Sequence, residues 1–321
     1  MRNRGIAGIR AAGAGLLGPV LLWSGLMAGA GMTGPMAYVT NQSDQTLSVV
    51  DLEAGEVVGT VDIPGAPAGV ALAPDGRVWV SSPEAGRVSA YDPASGAVEP
   101  VELGGGPLGL AVNPVSGAVY AADWHGDVLN VIEGGAVVAR WPTGDSPSGV
   151  AVTPDGATVL TADRDSHQLS VFDADGTRRA VVAVGERPFG VTIDAAGRLA
   201  YTANVGSNDV SVVDIAGARV VATIPAGMRP YEVALAGSKG FVTNSYGDSV
   251  TVFDIDSHEA LAEIDVGEYP EGIDASRDGR RVYVANWMTD TLSVVDVDSL
   301  EVRAEIAVGS GPRAFGTFLA E

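Results

Sequence analysis

Tyr38-Val39-Thr40-Asn41 is the first of seven versions of one tetrapeptide. It returns as Trp79-Val80-Ser81-Ser82, Tyr120-Ala121-Ala122-Asp123, Leu160-Thr161-Ala162-Asp163, Tyr201-Thr202-Ala203-Asn204, Phe241-Val242-Thr243-Asn244 and Tyr283-Val284-Ala285-Asn286. Successive first residues stand 41, 41, 40, 41, 40 and 42 positions apart. A proline keeps the same beat: Pro67, Pro107, Pro147, Pro188, Pro230, Pro270 and Pro312 follow one another at 40, 40, 41, 42, 40 and 42. Two independent markers with one period define a repeat protein, and the repeat overrides a domain count drawn from chain length.

Each repeat carries four strand signals. From Pro67 onward, Gly69 to Ala73 is a short apolar run ended by Pro74-Asp75-Gly76, and Val78 to Ser82 is the second run. Arg87 to Tyr91 alternates and is turned by Asp92-Pro93, and Ala97 to Leu103 is stopped by Gly104. Turn residues at every boundary, with no helical period, predict a sheet meander. Four strands in each of seven repeats predict an all-β, seven-bladed propeller of four-stranded antiparallel blades. The first tetrapeptide lies on the second strand of a blade, and Ala314 to Leu319 reads as a first strand without its own blade. That last strand is expected to complete the first blade, closing the ring and removing both sheet edges. Gly69, Gly109, Gly149, Gly190 and Gly272 share one position and Ala71, Ala111, Ala151 and Ala234 another, as crowding near a ring axis requires.

Tyr38 to Asn41 followed by Leu47-Ser48-Val49-Val50-Asp51, and Tyr283 to Asn286 followed by Leu292-Ser293-Val294-Val295-Asp296, resemble the YVTN family of β-propeller proteins. The resemblance spans residues 37–319. It implies seven blades, export and often a binding role. The family includes YncE-like exported proteins, surface-layer repeats and propeller subunits of periplasmic quinoprotein dehydrogenases. Ser82 and Asp163 depart from the family's Asn, but both side chains can make the same local bonds to backbone.

Residues 1–30 read as an export signal: Arg2, Arg4 and Arg10, then an uncharged run from Ala11 to Met27, then Ala28-Gly29-Ala30 as a cleavage site. A retained membrane anchor is the rival reading. The propeller is then residues 31–321, in the periplasm or outside the cell, with no membrane insertion after cleavage. Without the three arginines of residues 1–30, 16 of the 19 basic residues face 40 acids, a net charge of −24. Such a surface repels phosphate backbones, so nucleic acid is not an expected partner. With no cysteine, stability rests on burial and closure, and thiol chemistry, iron–sulfur ligation and Cys-x-x-Cys-His haem attachment are excluded.

Function is expected where the loops entering each first strand meet those that follow each tetrapeptide. After the proline, repeats 2, 3 and 4 carry Ala68, Leu108 and Ser148. The later ones carry Arg187 and Phe189, then Arg229, Tyr231 and Glu232, then Tyr269 and Glu271, and last Arg313. Glu232 replaces the usual glycine and is expected near the channel mouth. Two readings follow: a pocket for a small anion or carboxylate, which the arginine fork binds bidentately, or arginines that only neutralise Glu186, Glu232, Glu268 and Glu271. Trp287, after the seventh tetrapeptide, can stack a ligand or partner or cover a loop. Asp123, His125, Asp163 and His167 on adjacent repeats have the chemistry of a divalent-metal site, although Asp is also a turn former.

The leading expectation is a non-catalytic binding or protein-interaction propeller that takes a protein partner or small anionic ligand, with no cofactor of its own. Alternatives are an accessory subunit of a periplasmic quinoprotein amine or alcohol dehydrogenase, and a metal-assisted lactonase or lyase. No Gly-x-Ser-x-Gly elbow accompanies the three histidines, so no serine triad is expected.

Overall fold

Short β-prone runs cut by Gly, Asn, Asp or Pro form antiparallel hairpins one after another. The computed structural model describes residues 34–321, where these hairpins build seven sheets. The export-signal reading of residues 1–30 lies outside the described residues. Blade 1 holds Met36–Asn41, Thr46–Asp51 and Glu56–Asp62. Blade 2 follows with Gly69–Leu72, Val78–Ser82, Arg87–Asp92 and Ala97–Glu102. Blades 3 to 7 begin at Pro107, Pro147, Pro188, Pro230 and Pro270 and repeat that order. Among the described residues the only helical turn is Pro83–Ala85, and no helix is long and apolar enough to cross a membrane.

The tetrapeptide explains how blades hold one another. Its first residue fills the seam between neighbours: Tyr38 meets Tyr91 of blade 2 at 6.3 Å, and Tyr201 meets Phe253 of blade 6 at 5.9 Å. Burying such a ring stabilises the fold by about 2–3 kcal/mol. Where the third residue carries a hydroxyl, it bonds to the next blade. Thr40, Ser81 and Thr243 donate to the carbonyls of Ala68, Leu108 and Glu271 at 2.7, 2.6 and 2.8 Å. The fourth residue ties the second strand to the third. Asn41 Nδ2 donates to Thr46 and Ser48, and Asn286 Nδ2 to Thr291 and Ser293, all within 3.0 Å. Asp163 makes the same link with donors and acceptor exchanged, taking bonds from Gln168 and Ser170.

The closing segment differs from the continuous strand expected over Ala314 to Leu319. Its end, Leu319–Ala320, does pair with Met36–Asn41 and completes blade 1. Before that, Phe315–Gly316 leaves blade 1 and runs parallel to Gly69–Leu72 of blade 2. Gly316 has φ +100°, a conformation that favours glycine and that breaks the strand in two. The detour carries the Phe315 ring to Phe189 and Tyr231 at the mouth of the ring.

Candidate functional site

One end of the propeller collects the loops that enter each first strand and the loops that follow each second strand. A repeated bond joins them. The last residue of the loop after the second strand has a positive φ, as short polar side chains tolerate. Its side chain then accepts the N–H of the residue that precedes the next blade's proline. Asp127 takes Ser146, Asn208 takes Arg229, and Asp248 takes Tyr269, at 2.8, 2.8 and 3.0 Å. His167, with φ +53°, does this through Nδ1, which accepts the Arg187 N–H at 3.0 Å.

That geometry gives the residues of the metal reading other partners. His167 is a turn residue whose Nδ1 is already occupied. Asp123 Oδ1 accepts the N–H groups of Gly106, His125 and Gly126, and the Asp163 carboxylate accepts from Thr161, Gly144, Gln168 and Ser170. His125 is exposed on its loop. Among the described residues no three His, Asp or Glu side chains converge as metal donors. Asp123, Asp163 and His167 thus tie the loops through their side chains, and His125 does so through its backbone N–H.

The arginine and aromatic residues do gather, in two arcs over blades 5 to 7 and the closing segment. In the inner arc, Phe189 is buried, with its ring 4.6 Å from Tyr231 and 5.0 Å from Phe315. These rings fill the channel mouth. Trp124, with Arg164 stacked over it at 5.1 Å, flanks Phe189 at 6.2 Å. Beside them Arg313 lies 3.4 Å from Glu271, which is 4% exposed. The single Nε proton of Arg313 goes to Gln42 Oε1 at 2.9 Å, so the contact with Glu271 is electrostatic and Glu271 Oε2 keeps no hydrogen bond. Burial pushes the Glu271 carboxyl up to about 7 against the opposing pull of Arg313. Burial, and then the charge of Glu271, raise the Tyr231 phenol.

The outer arc is a row of rings with a cation at one end. The Arg229 guanidinium sits 4.3 Å from the Tyr246 ring, a favourable cation–π distance. Tyr246 meets Tyr269 at 5.2 Å, and Tyr269 meets Trp287 at 6.3 Å. Three donors buried along this arc have no partner among the described residues: Arg229 Nε, Ser245 Oγ and Trp287 Nε1. Buried donors need a partner, which water or a ligand supplies where the chain does not, and Ser82 Oγ, Arg87 Nε, Tyr201 Oη and His258 Nε2 are in the same position away from the arc.

Two expected positions differ. Arg187 is exposed, forms no ion pair among the described residues, and is held through its backbone N–H by His167. Glu232, expected near the mouth, is 6% exposed and turned inward to the closing segment, its Oε1 accepting the Gly316 N–H at 2.9 Å. With Ser148, Phe189 and Phe315 it lines an axial cavity of about 20 Å³, room for one water. A larger hollow of about 360 Å³ lies between blades 3 and 4 on the side of the opposite loops, against Val115, Tyr120, Val138 and Trp141. Sequence reading missed Gln42, Ser245, Tyr246 and Asp274. The signal for Asp274 was present, since it occupies the position of Ala71, Ala111, Ala151 and Ala234.

A family model described as YNCE-like beta-propeller matches residues 99–275. The chain is similar to hydrazine synthase of Kuenenia stuttgartiensis at 20% identity, over 79% of this chain and 90% of that one, with TM-score 0.71. A functionally unknown protein from Desulfotomaculum acetoxidans is similar at 15% identity, over 86% and 98%, with TM-score 0.75. Virginiamycin B lyase from Staphylococcus aureus is similar at 15% identity, over 79% and 92%, with TM-score 0.68. No curated protein matches the sequence. At these identities the likeness to solved structures is one of fold.

Proposed function

Because the chain belongs to the YncE-like β-propeller family, we propose that it is an exported binding propeller that takes a carboxylate-bearing ligand over blades 6 and 7. The observation that carries this reading is the set of unpartnered buried donors, Arg229 Nε, Ser245 Oγ and Trp287 Nε1, beside the rings of Tyr246 and Tyr269. A cation with the Ser245 hydroxyl beside it suits a carboxylate, and the row of rings that ends at Trp287 suits a flat or apolar body attached to it. The surrounding charge sharpens the choice. The chain carries −21 overall and repels anions at long range, so a carboxylate ligand depends on local positive charge such as that of Arg229. Fold supplies the platform and these side chains supply the recognition.

Calorimetry with benzoate and benzylamine as probes tests the reading. Benzoate binds and benzylamine, of the same shape but opposite charge, does not. Arg229→Ala weakens benzoate binding by about tenfold or more, the worth of one charge-assisted contact, and leaves the melting temperature within a few degrees. Equal benzoate affinity in wild type and variant, or no binding to either, would overturn it.

A further inference from the structure

The closing segment is irregular, and two carboxyl groups compensate for that. Where Phe315–Gly316 leaves blade 1, the following amides lose regular ladder partners. Gly316 N–H is taken by Glu232 Oε1 at 2.9 Å, and the N–H groups of Phe318 and Leu319 are both taken by Asp274 Oδ2 at 2.9 and 3.1 Å. Glu232 belongs to the first strand of blade 6 and Asp274 to that of blade 7. Both stand where most other blades place very small residues. The position of Glu232 is glycine in Gly69, Gly109, Gly149, Gly190 and Gly272, and that of Asp274 is alanine in four blades. The two repeat-breaking acids thus lie beside the one first strand that breaks the repeat's geometry.

We infer that Glu232 and Asp274 are positioning residues that clasp the closing segment by its backbone amides and so set Arg313 and Phe315 in the mouth. Blade 1 holds the two ends of that segment. Arg313 N–H donates to Thr40 O at 2.9 Å, and Ala37 pairs with Leu319. The clasp adds bonds to the N–H groups of Gly316, Phe318 and Leu319 from blades 6 and 7. Its members are packed from several sides: Glu232 faces Asp274, and Asp274 faces Glu321, whose carboxylate accepts the Arg277 N–H. A carboxyl in so enclosed a place is costly unless it is hydrogen-bonded, and here Glu232 Oε1 and Asp274 Oδ2 are used on the segment that closes the ring. The clasp rests on these bonds alone, and only its effect on ligand binding rests on the proposed site.

Hydrogen exchange on the full chain tests it without any ligand. In Asp274→Ala and Glu232→Ala, amides of residues 315–320 exchange roughly tenfold to a hundredfold faster, as expected on loss of a buried hydrogen-bonding partner. Amides of Thr158–Asp163 in blade 4 keep their wild-type rates. Glu232→Gln restores protection, because its amide oxygen still accepts the Gly316 N–H while the nitrogen replaces Oε2, which has no partner. If Asp274→Ala does not fold, the Glu232→Ala and Glu232→Gln pair decides alone. Unchanged exchange at residues 315–320, equal acceleration in blade 4, or failure of Glu232→Gln to rescue would each overturn the clasp. Loss of benzoate binding with unchanged exchange would implicate the ligand site and refute the clasp, and the reverse would leave the clasp standing.

Discussion

Blades 2 to 4 and blades 5 to 7 share a backbone plan but present different inner strands at the mouth. In the first half-ring the two residues after the proline are Ala68-Gly69, Leu108-Gly109 and Ser148-Gly149. In the second they are Phe189-Gly190, Tyr231-Glu232 and Glu271-Gly272, and Arg313 follows on the closing segment. The first half shows what a propeller needs near its axis: small residues that let a neighbour's backbone approach. The second half shows what can be added once that need is met. A repeat scaffold specifies its shape many times over, so chemistry appears where single blades depart from the consensus.

Adding a methyl group to the small half-ring should break this difference most severely. A Cβ on Gly109 would lie 2.0 Å from the Ser148 carbonyl oxygen of the next blade. Backbone stands there, and no flexible side chain can yield. Gly109→Ala should therefore cost about 3 kcal/mol or more, read as a lowered urea midpoint. Arg229→Ala, a change in the elaborated half, should leave that midpoint close to wild type. A Gly109→Ala variant as stable as wild type would show that the inner glycines are not required by packing.

Acidity sharpens the comparison from the other side. Burial raises Asp274 to about 6 and Glu271 to about 7, and it raises Glu232 well above the usual carboxylate range. All three lie in the elaborated half. In the unfolded chain these groups titrate near 4, so the folded state holds more protons between about pH 4 and 7. Stability should then fall as pH rises through that window, by a few kcal/mol in all. Repulsion among the excess acids acts in the same direction. Asp92 of blade 2 is exposed and is held below its usual range by its bond to Ser95, so it does not share the trend. The urea midpoint at pH 5 should exceed that at pH 8, and Glu271→Gln should flatten the slope. A midpoint that does not fall between those pH values would mean that these carboxyls keep their ordinary pKa in the fold.

The repeat, the blade number and closure through the C-terminal strand were legible because each is written seven times or follows from the register of the ends. The arcs were only partly legible. Arg229, Tyr231, Glu271 and Arg313 announced themselves as departures at aligned positions. Their roles depended on distances that alignment does not carry. Arg313 turns its Nε to Gln42, more than 270 positions earlier in the chain. Glu232 points to the closing segment because Gly316 breaks that strand, a local event with no counterpart in the other blades.

His167 is where composition and geometry point to different roles, and it yields the smallest and most discriminating effect. As one of three histidines beside two aspartates, it has the chemistry of a metal ligand. In the fold it holds the place of Asp127, Asn208 and Asp248, with a positive φ and a side-chain acceptor for the next loop. Asparagine does both tasks and tolerates that backbone better. His167→Asn should therefore change stability by no more than about 0.5 kcal/mol. His167→Ala removes the acceptor of the Arg187 N–H and should cost about 1 kcal/mol. Denaturant melts of the two variants, with and without added zinc, separate the roles. A turn residue gives the order asparagine above alanine with no response to zinc. A ligand gives equal losses for both, accompanied by lost zinc stabilisation.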